Sequence, residues 1–477
     1  MTVSRTNSPV STDLLVVLHR GNGIPLHRQI EVALRGQIRS GHLAAGAGLP
    51  STRTLARDLG VARGVAVEAY GQLVAEGYLT SRSGGYTRVA ERVIERPSSD
   101  DVASPRSSAG RPRSPVIDFG YGRANVAAFP RSAWLRSVRR VLAEAPDERL
   151  GYPDGQGVGE LRTALAEYVN RVRGTSALPE NMVITNGFAQ GIGLLLTVLA
   201  ARGAKRVAVE DPSANDDVRP LAAALGLEVV GVPVARDGLR TDALDRLSAD
   251  ALIVTPSHQW PTGGVLSAEA RAAVLAWAER TGALIVEDDY DAEYRYDRAP
   301  IGAMHGLAPT HVAYAGTASK TLAPGLRLGW FVLPPSLVDA FAAAKILADR
   351  GSPVLDQLTF ADFLSRGAFD RHLRRMRPVY RRRRDALVAA LDEHLPELQP
   401  AGIAAGLHLV AWLPAGLDET PVVTAAAACG VTVAGLAPYR LAPSAQGGLI
   451  FGYSDLTETT IRRGVERLAD AVARVRI

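Results

Sequence analysis

One lysine stands in the phrase Gly316-Thr317-Ala318-Ser319-Lys320-Thr321-Leu322-Ala323-Pro324-Gly325-Leu326-Arg327. The chain carries 54 lysines and arginines, and only Lys205, Lys320 and Lys345 are lysine. A guanidinium stays protonated, whereas a desolvated ε-amine can attack a carbonyl and form an imine. Arg327 follows closely and is placed for an anionic group. With Thr317 and Ser319 beside it, this pattern fits pyridoxal phosphate (PLP) held at Lys320, its phosphate on Arg327.

A second phrase, Leu284-Ile285-Val286-Glu287-Asp288-Asp289-Tyr290, is an apolar strand that ends in acids and an aromatic ring. Side chains two apart share a strand face, so Asp288 and Tyr290 point the same way. At the C-terminal end of a parallel strand, where ligands bind, a carboxylate can hold a pyridinium N–H and a phenol can bond the 3′ oxygen. Asp289 competes with Asp288 for the first role. Thr185-Asn186-Gly187-Phe188-Ala189-Gln190-Gly191 also follows an apolar strand and opens an apolar helix. Its turn, with Gly187 and Phe188, can present backbone N–H groups to a phosphate. Thr255-Pro256-Ser257-His258-Gln259-Trp260-Pro261-Thr262-Gly263 ends a further strand. His258 has no carboxylate or cysteine at metal spacing, so no metal site is expected.

The elements that must position these residues fall into three regions of a 477-residue chain. Residues 16–90 form a helical unit with a hairpin. Leu26, Ile30, Leu34 and Ile38 line one helical face after Pro25, and Ser51 is a candidate N-cap. Val65, Ala69 and Leu73 are the predicted inward residues of a third helix. Tyr78-Leu79-Thr80-Ser81-Arg82 and Tyr86-Thr87-Arg88-Val89 flank Ser83-Gly84-Gly85, a hairpin signal. Three helices and a basic hairpin make a winged helix-turn-helix, with the third helix aimed at a major groove. Residues 91–115 are rich in Ser, Pro and charge and read as a flexible linker. From 116 to 477, strands alternate with amphipathic helices, which predicts a parallel sheet covered on both faces.

Charge is uneven. Residues 1–115 hold 15 Arg, no Lys and 9 Asp/Glu, or +6, against +5 for the whole chain. A basic front is a footprint for a polyanion. The single cysteine, Cys429, excludes an internal disulfide framework and fits a reducing cytoplasm. No run approaches the roughly 18 apolar residues of a membrane span, and the N-terminus lacks a signal-peptide pattern.

Leu49-Pro50-Ser51-Thr52-Arg53-Thr54-Leu55-Ala56-Arg57-Asp58-Leu59-Gly60-Val61, followed by Ala69-Tyr70-Gly71-Gln72-Leu73-Val74-Ala75-Glu76-Gly77-Tyr78-Leu79, resembles the GntR-type winged-helix regulators. The resemblance implies double-stranded operator DNA as partner, with Ser51, Arg53, Arg63, Tyr70, Gly84 and Gly85 as contact candidates. The family often opens its third helix with Ser-Arg-Asn-Thr. Here Ala62-Arg63-Gly64-Val65 stands instead, without the capping hydroxyl. The Lys320, Asp288 and Pro-Thr-Gly phrases, with Leu150-Gly151-Tyr152-Pro153-Asp154-Gly155-Gln156-Gly157, resemble fold-type I PLP enzymes.

Together the two halves resemble the MocR/GabR subfamily. The implied fold is an N-terminal winged helix-turn-helix (α+β) joined by a linker to an α/β fold-type I aminotransferase-like domain. The resemblance also implies a head-to-tail homodimer, a small amino-compound effector or PLP itself, and an arginine for an effector carboxylate. Arg440 is the candidate for that arginine, and Arg219 is another. The family stacks a tyrosine on the cofactor ring where this chain has Ala214, unless Trp260 or Phe188 fills in. The expected function is PLP-dependent transcription regulation, with sensing through an imine at Lys320 dominating over turnover. The alternatives are an aminotransferase with an accessory DNA-binding domain and a repressor whose large domain only dimerises.

Overall fold

The computed structural model describes residues 14–81, 86–91, 116–213, 218–235, 238–296, 302–444 and 446–475. The chain divides into two units, Met1–Gly110 and Arg111–Ile477.

In the front unit the first helix is Leu26–Arg39, and Ile30, Leu34 and Ile38 are buried on one face. Ser51 caps the second helix, Thr52–Leu59: its Oγ accepts a hydrogen bond from the Thr54 N–H at 3.1 Å. Such a cap contributes about 1 kcal/mol. Gly60 closes that helix at φ 60°, a left-handed position that favours glycine.

The third helix, Arg63–Ala75, buries Ala66, Ala69, Tyr70 and Leu73, while Val65 is only half-buried. The predicted inward set, spaced strictly by four, drifts about 40° around the helix at each step. The observed set mixes steps of three and four and stays on one face. Ala62 stands at the N-cap and makes no side-chain bond there. Leu79–Thr80 pairs antiparallel with Arg88–Val89 to form the base of the hairpin. The tip residues Gly84 and Gly85 lie outside the described residues, as do 92–115 of the expected linker.

The large unit is built on an eight-stranded sheet. Its order is Met182–Thr185, Gly329–Val332, Val312–Thr317, Leu284–Asp289, Ala251–Val254, Arg206–Asp211, Glu228–Ala235, Gly238–Leu239. Side chains alternate between faces along each strand. Val207, Val209, Ile253 and Val286 pack on one side with the helices Phe188–Ala201 and Pro335–Asp349. Ala208, Leu252, Val254 and Ile285 pack on the other side with the helix Ala268–Thr281.

The sheet is mixed, not all parallel as predicted from the sequence. Gly329–Val332 runs antiparallel to both of its neighbours, and Gly238–Leu239 turns back on Glu228–Ala235. The reason is length. Residues 318–328 fall short of the dozen or so needed for a crossover, so the strand after Val312–Thr317 must return beside it. That return carries Lys320 and Arg327. A smaller four-stranded sheet, Gln399–Ala401, His408–Trp412, Gly448–Gly452 and Ala434–Gly435, lies C-terminal to it in the chain.

Candidate functional site

Lys320, Asp288, Tyr290, Thr317, Ser319 and Arg327 line one cavity of about 290 Å³, together with Phe188 from the next helix N-terminus. Three strand ends of the large sheet bring them there. Leu284–Asp289 supplies the acids, Val312–Thr317 leads into Lys320, and Met182–Thr185 leads into the Gly187 turn. The strand register places Ala315 opposite Asp288, which sets Lys320 a few residues beyond the acid.

Lys320 is half-buried, and its Nζ donates to the Gly122 carbonyl at 2.7 Å. Burial lowers its pKa, and Asp288 and then Asp291 partly oppose that. The lowered value enlarges the neutral, nucleophilic fraction of the amine.

Asp288 is pushed up to about 8, first by burial and then by the neighbouring Asp289 charge, with Lys320 acting the other way. The two acids are spatially separated. Asp289 is 5% exposed and turned away from the cavity. Its carboxylate accepts from Arg173 Nε at 2.6 Å and from the Tyr314 hydroxyl at 2.8 Å. Only Asp288 lines the cavity with Lys320, so it is the acid available to a ring nitrogen. Tyr290 donates its hydroxyl to the His258 carbonyl at 2.9 Å, and burial raises its pKa.

The cradle expected for a phosphate also assembles. Arg327 donates to the Asn186 carbonyl at 2.7 Å. A Cβ on Gly187, which sits at φ 85°, would fall 2.7 Å from the Arg327 guanidinium. The positive φ favours glycine there, and a side chain would displace the Arg327 guanidinium. Gly187 opens the helix Phe188–Ala201 without a side-chain cap, and a helix N-terminus left without a side-chain cap can present N–H groups to a phosphate. Ser319 N–H donates to Thr317 Oγ1 at 3.1 Å, which fixes both hydroxyls. An amine, a half-buried acid, and a guanidinium beside a helix N-terminus match the aldehyde, ring nitrogen and phosphate of PLP. The residues present fit that group.

Several expectations change. Tyr70 is not at a DNA-facing surface. It is 4% exposed, and its hydroxyl donates to the Pro50 carbonyl at 2.9 Å, so it braces the turn before the second helix. Ser51, Arg53 and Arg63 are exposed, although the Ser51 hydroxyl is engaged in its cap. Arg440 is not brought to Lys320. It lines a separate cleft with Glu419 and donates to the Gln446 carbonyl at 2.8 Å. Arg219 is exposed and does not line the Lys320 cavity. Ala214 lies outside the described residues.

Other residues at the site escaped the sequence reading. His258 does have a carboxylate partner: Asp291 lies 3.0 Å from its Nδ1, and both are buried. His408 lines the cavity, its Nε2 lies 3.1 Å from the Pro261 carbonyl, and burial lowers its pKa to about 3. Tyr121 also lines the cavity. Its ring lies 5.0 Å from Trp260, and its hydroxyl bonds that of Tyr439. The one signal for Tyr121 was its place in Gly120-Tyr121-Gly122, an aromatic between two glycines.

Residues 26–89 match the model of bacterial regulatory proteins of the gntR family, and residues 115–434 match aminotransferase class I and II. The chain is 37% identical to the probable rhizopine catabolism regulatory protein MocR of Rhizobium meliloti, over 96% of each chain. It is 33% identical to the HTH-type pyridoxine biosynthesis transcriptional regulator PdxR of Corynebacterium glutamicum, over 97% of this chain and 99% of that one.

The chain belongs to the MocR/GabR type of GntR regulators. It is a transcriptional regulator of that family, with a GntR DNA-binding domain followed by a fold-type I aminotransferase-like domain. Among solved structures, the multiple substrate aminotransferase of Thermococcus profundus superposes with a TM-score of 0.70 at 25% identity. That match covers 76% of this chain and 93% of that one. LysN, the α-aminoadipate aminotransferase of Thermus thermophilus, gives 0.67 at 28% identity, over 76% of this chain and 92% of that one. No helix among the described residues is long and apolar enough to cross a membrane.

Proposed function

We propose that this regulator binds PLP at Lys320 and changes its hold on operator DNA when the cofactor, or an amino compound that reacts with it, occupies the cavity. The observation that carries this reading is the convergence of Lys320, Asp288 and Arg327 on one cavity in a chain whose front is a gntR-type domain. When bound, PLP supplies a carbonyl and an electron-withdrawing ring. The chain's own groups then have separate tasks. Lys320 would be the carbonyl-reactive amine, Asp288 would hold the ring-nitrogen proton, and Tyr290 would bond the ring's 3′ oxygen. Arg327, Thr317, Ser319 and the turn at Gly187 and Phe188 hold the phosphate.

At the DNA, Arg53 and Arg63 are the contacts, with Ser51 fixing the helix that carries them. The working form is a cytoplasmic homodimer, head-to-tail, that pairs two reading helices on two half-sites. Sensing is favoured over turnover because a gntR-type domain precedes the cavity in the chain. The absent ring-stacking tyrosine weighs less, since Trp260 and Phe188 both line the cavity and offer aromatic walls. A ligand shifts operator affinity only by as much as it prefers one dimer shape over another.

The test is a gel-shift on DNA upstream of the protein's own gene, with and without PLP and a panel of amino compounds, beside a single-turnover assay. The parent should show a visible chromophore that borohydride traps and a ligand-dependent operator affinity. Lys320→Ala should lose both. Fast conversion of PLP to pyridoxamine phosphate with no ligand effect on DNA would favour an aminotransferase. An unchanged chromophore in Lys320→Ala would move the link to Lys205 or Lys345.

A further inference from the structure

A second cleft, of about 410 Å³, opens on the large unit. It lies where the helix Gly159–Arg173 ends, beside residues 292–295 and the early turns of the helix Ala368–His394. Arg171, Arg173, Arg295, Arg374 and Arg377 line it, against two carboxylates, Asp370 and Glu293. Like charges gathered around one concavity repel unless counter-charge is supplied.

Among the described residues, two of the arginines are met by acids. Arg173 is spent on Asp289 at 2.6 Å, and Arg171 on Asp370 at 2.9 Å. Arg377 donates Nε to the Glu293 main-chain carbonyl at 2.7 Å, which aims its guanidinium without neutralising it. Arg374 is exposed and stands three residues before Arg377, on the same face of the helix. The Glu293 carboxyl accepts from the Tyr168 hydroxyl at 3.3 Å, and burial pushes its pKa up to about 7. At neutral pH it offsets only part of one positive charge. Arg374 and Arg377 thus line a concavity in which Arg171 and Arg173 are already paired with acids.

We propose that this cleft binds a small, multiply charged anion of the phosphate-ester or diphosphate class. Two guanidinium forks, one pre-aimed by a main-chain carbonyl, suit the oxygens of a phosphate group. The volume admits a metabolite and not only a single ion. The site is distinct from the Lys320 cavity and does not depend on what that cavity holds. The two approach each other through Arg173, which lines the cleft and also holds Asp289, the neighbour of Asp288.

The test is calorimetric titration of the full-length, PLP-treated protein with inorganic pyrophosphate at matched ionic strength. Saturable binding at one per chain is expected. Arg374→Gln with Arg377→Gln should weaken it at least tenfold. Arg382→Gln, an exposed arginine of the same helix that pairs with Glu458, should leave it at the parent value. Thermal midpoints measured without pyrophosphate check that each variant is folded.

No saturation, or equal affinity in the double variant, would overturn the proposal. So would an equal loss in the double variant and in Arg382→Gln, which signals diffuse charge. Binding abolished by Arg327→Gln and kept by the double variant would place pyrophosphate in the first cavity and also overturn it. If pyrophosphate does not saturate while the double variant lowers the salt slope of operator binding by about 2, the arginines serve DNA phosphates instead.

Discussion

Arg53 and Arg173 are the same side chain in two solvents. Arg53 stands exposed on the second helix of the front unit. Arg173 is 2% exposed and is bonded to Asp289 and Ser257 behind the strand end that carries Asp288. In water a guanidinium is a screened charge, useful to a partner that arrives with many phosphates of its own. In the interior it costs several kcal/mol to desolvate and persists only because an acid meets it. The front unit works through many weak, replaceable charges. The rear cavity works through few charges, and behind it Arg173 and Asp289 form a buried, mutually dependent pair. Arginine abundance by itself therefore says little about which residues bind DNA.

Removing the buried partner gives the largest effect by which that contrast can be broken. Arg173→Ala should cost about 3–5 kcal/mol of stability, because Asp289 is left charged and buried beside a strand end already crowded with acids. Arg53→Ala should fall within about 0.5 kcal/mol of the parent, as exposed substitutions do. Urea unfolding of both variants is the check. A loss under about 1 kcal/mol for Arg173→Ala would mean that water or a relaxed backbone solvates Asp289, and the two regions would differ less than argued.

Tyr70 sharpens the contrast within the front unit. Its hydroxyl satisfies the Pro50 carbonyl at a buried position, so Tyr70→Phe should lose about 1–3 kcal/mol of front-unit stability. Operator affinity of the folded protein should stay unchanged, with the same salt dependence. A large drop in affinity with no change in stability would return Tyr70 to the contact surface.

What could be read from the sequence follows from the same distinction. The Lys320 phrase, the acids at 288 and 289 and the Gly187 turn were legible because each is contiguous and sits at a strand end, where the fold class dictates ligand binding. The partition between Asp288 and Asp289 was not, because it is decided by Arg173 and Tyr314, distant in the chain. The same holds for Asp291 against His258, for His408 and for Tyr121: each meets its partner only after the sheet is assembled. Tyr70 was misplaced because motif membership carries no information about which way a helical residue faces. The antiparallel strand at Gly329–Val332 was legible in principle from the short link before it, and the strand-helix alternation elsewhere hid it.

The smallest expected effect concerns Arg53 itself. It projects from a helix whose N-terminus Ser51 fixes, so its guanidinium is available to a phosphate at modest entropic cost. One lost phosphate contact removes roughly one counterion from the release on binding. Log affinity plotted against log salt should therefore flatten by about 1 in Arg53→Ala. The affinity loss should be largest at low salt and shrink as salt rises, and it should be nearly the same on operator and on unrelated DNA. That pattern separates a backbone contact from a base contact, since losing a base contact would lower operator affinity alone and leave the slope intact. Should Arg53→Ala bind both DNAs like the parent at every salt concentration, the exposed arginines of the second helix are solvated surface, and the DNA footprint rests on Arg63 and the third helix.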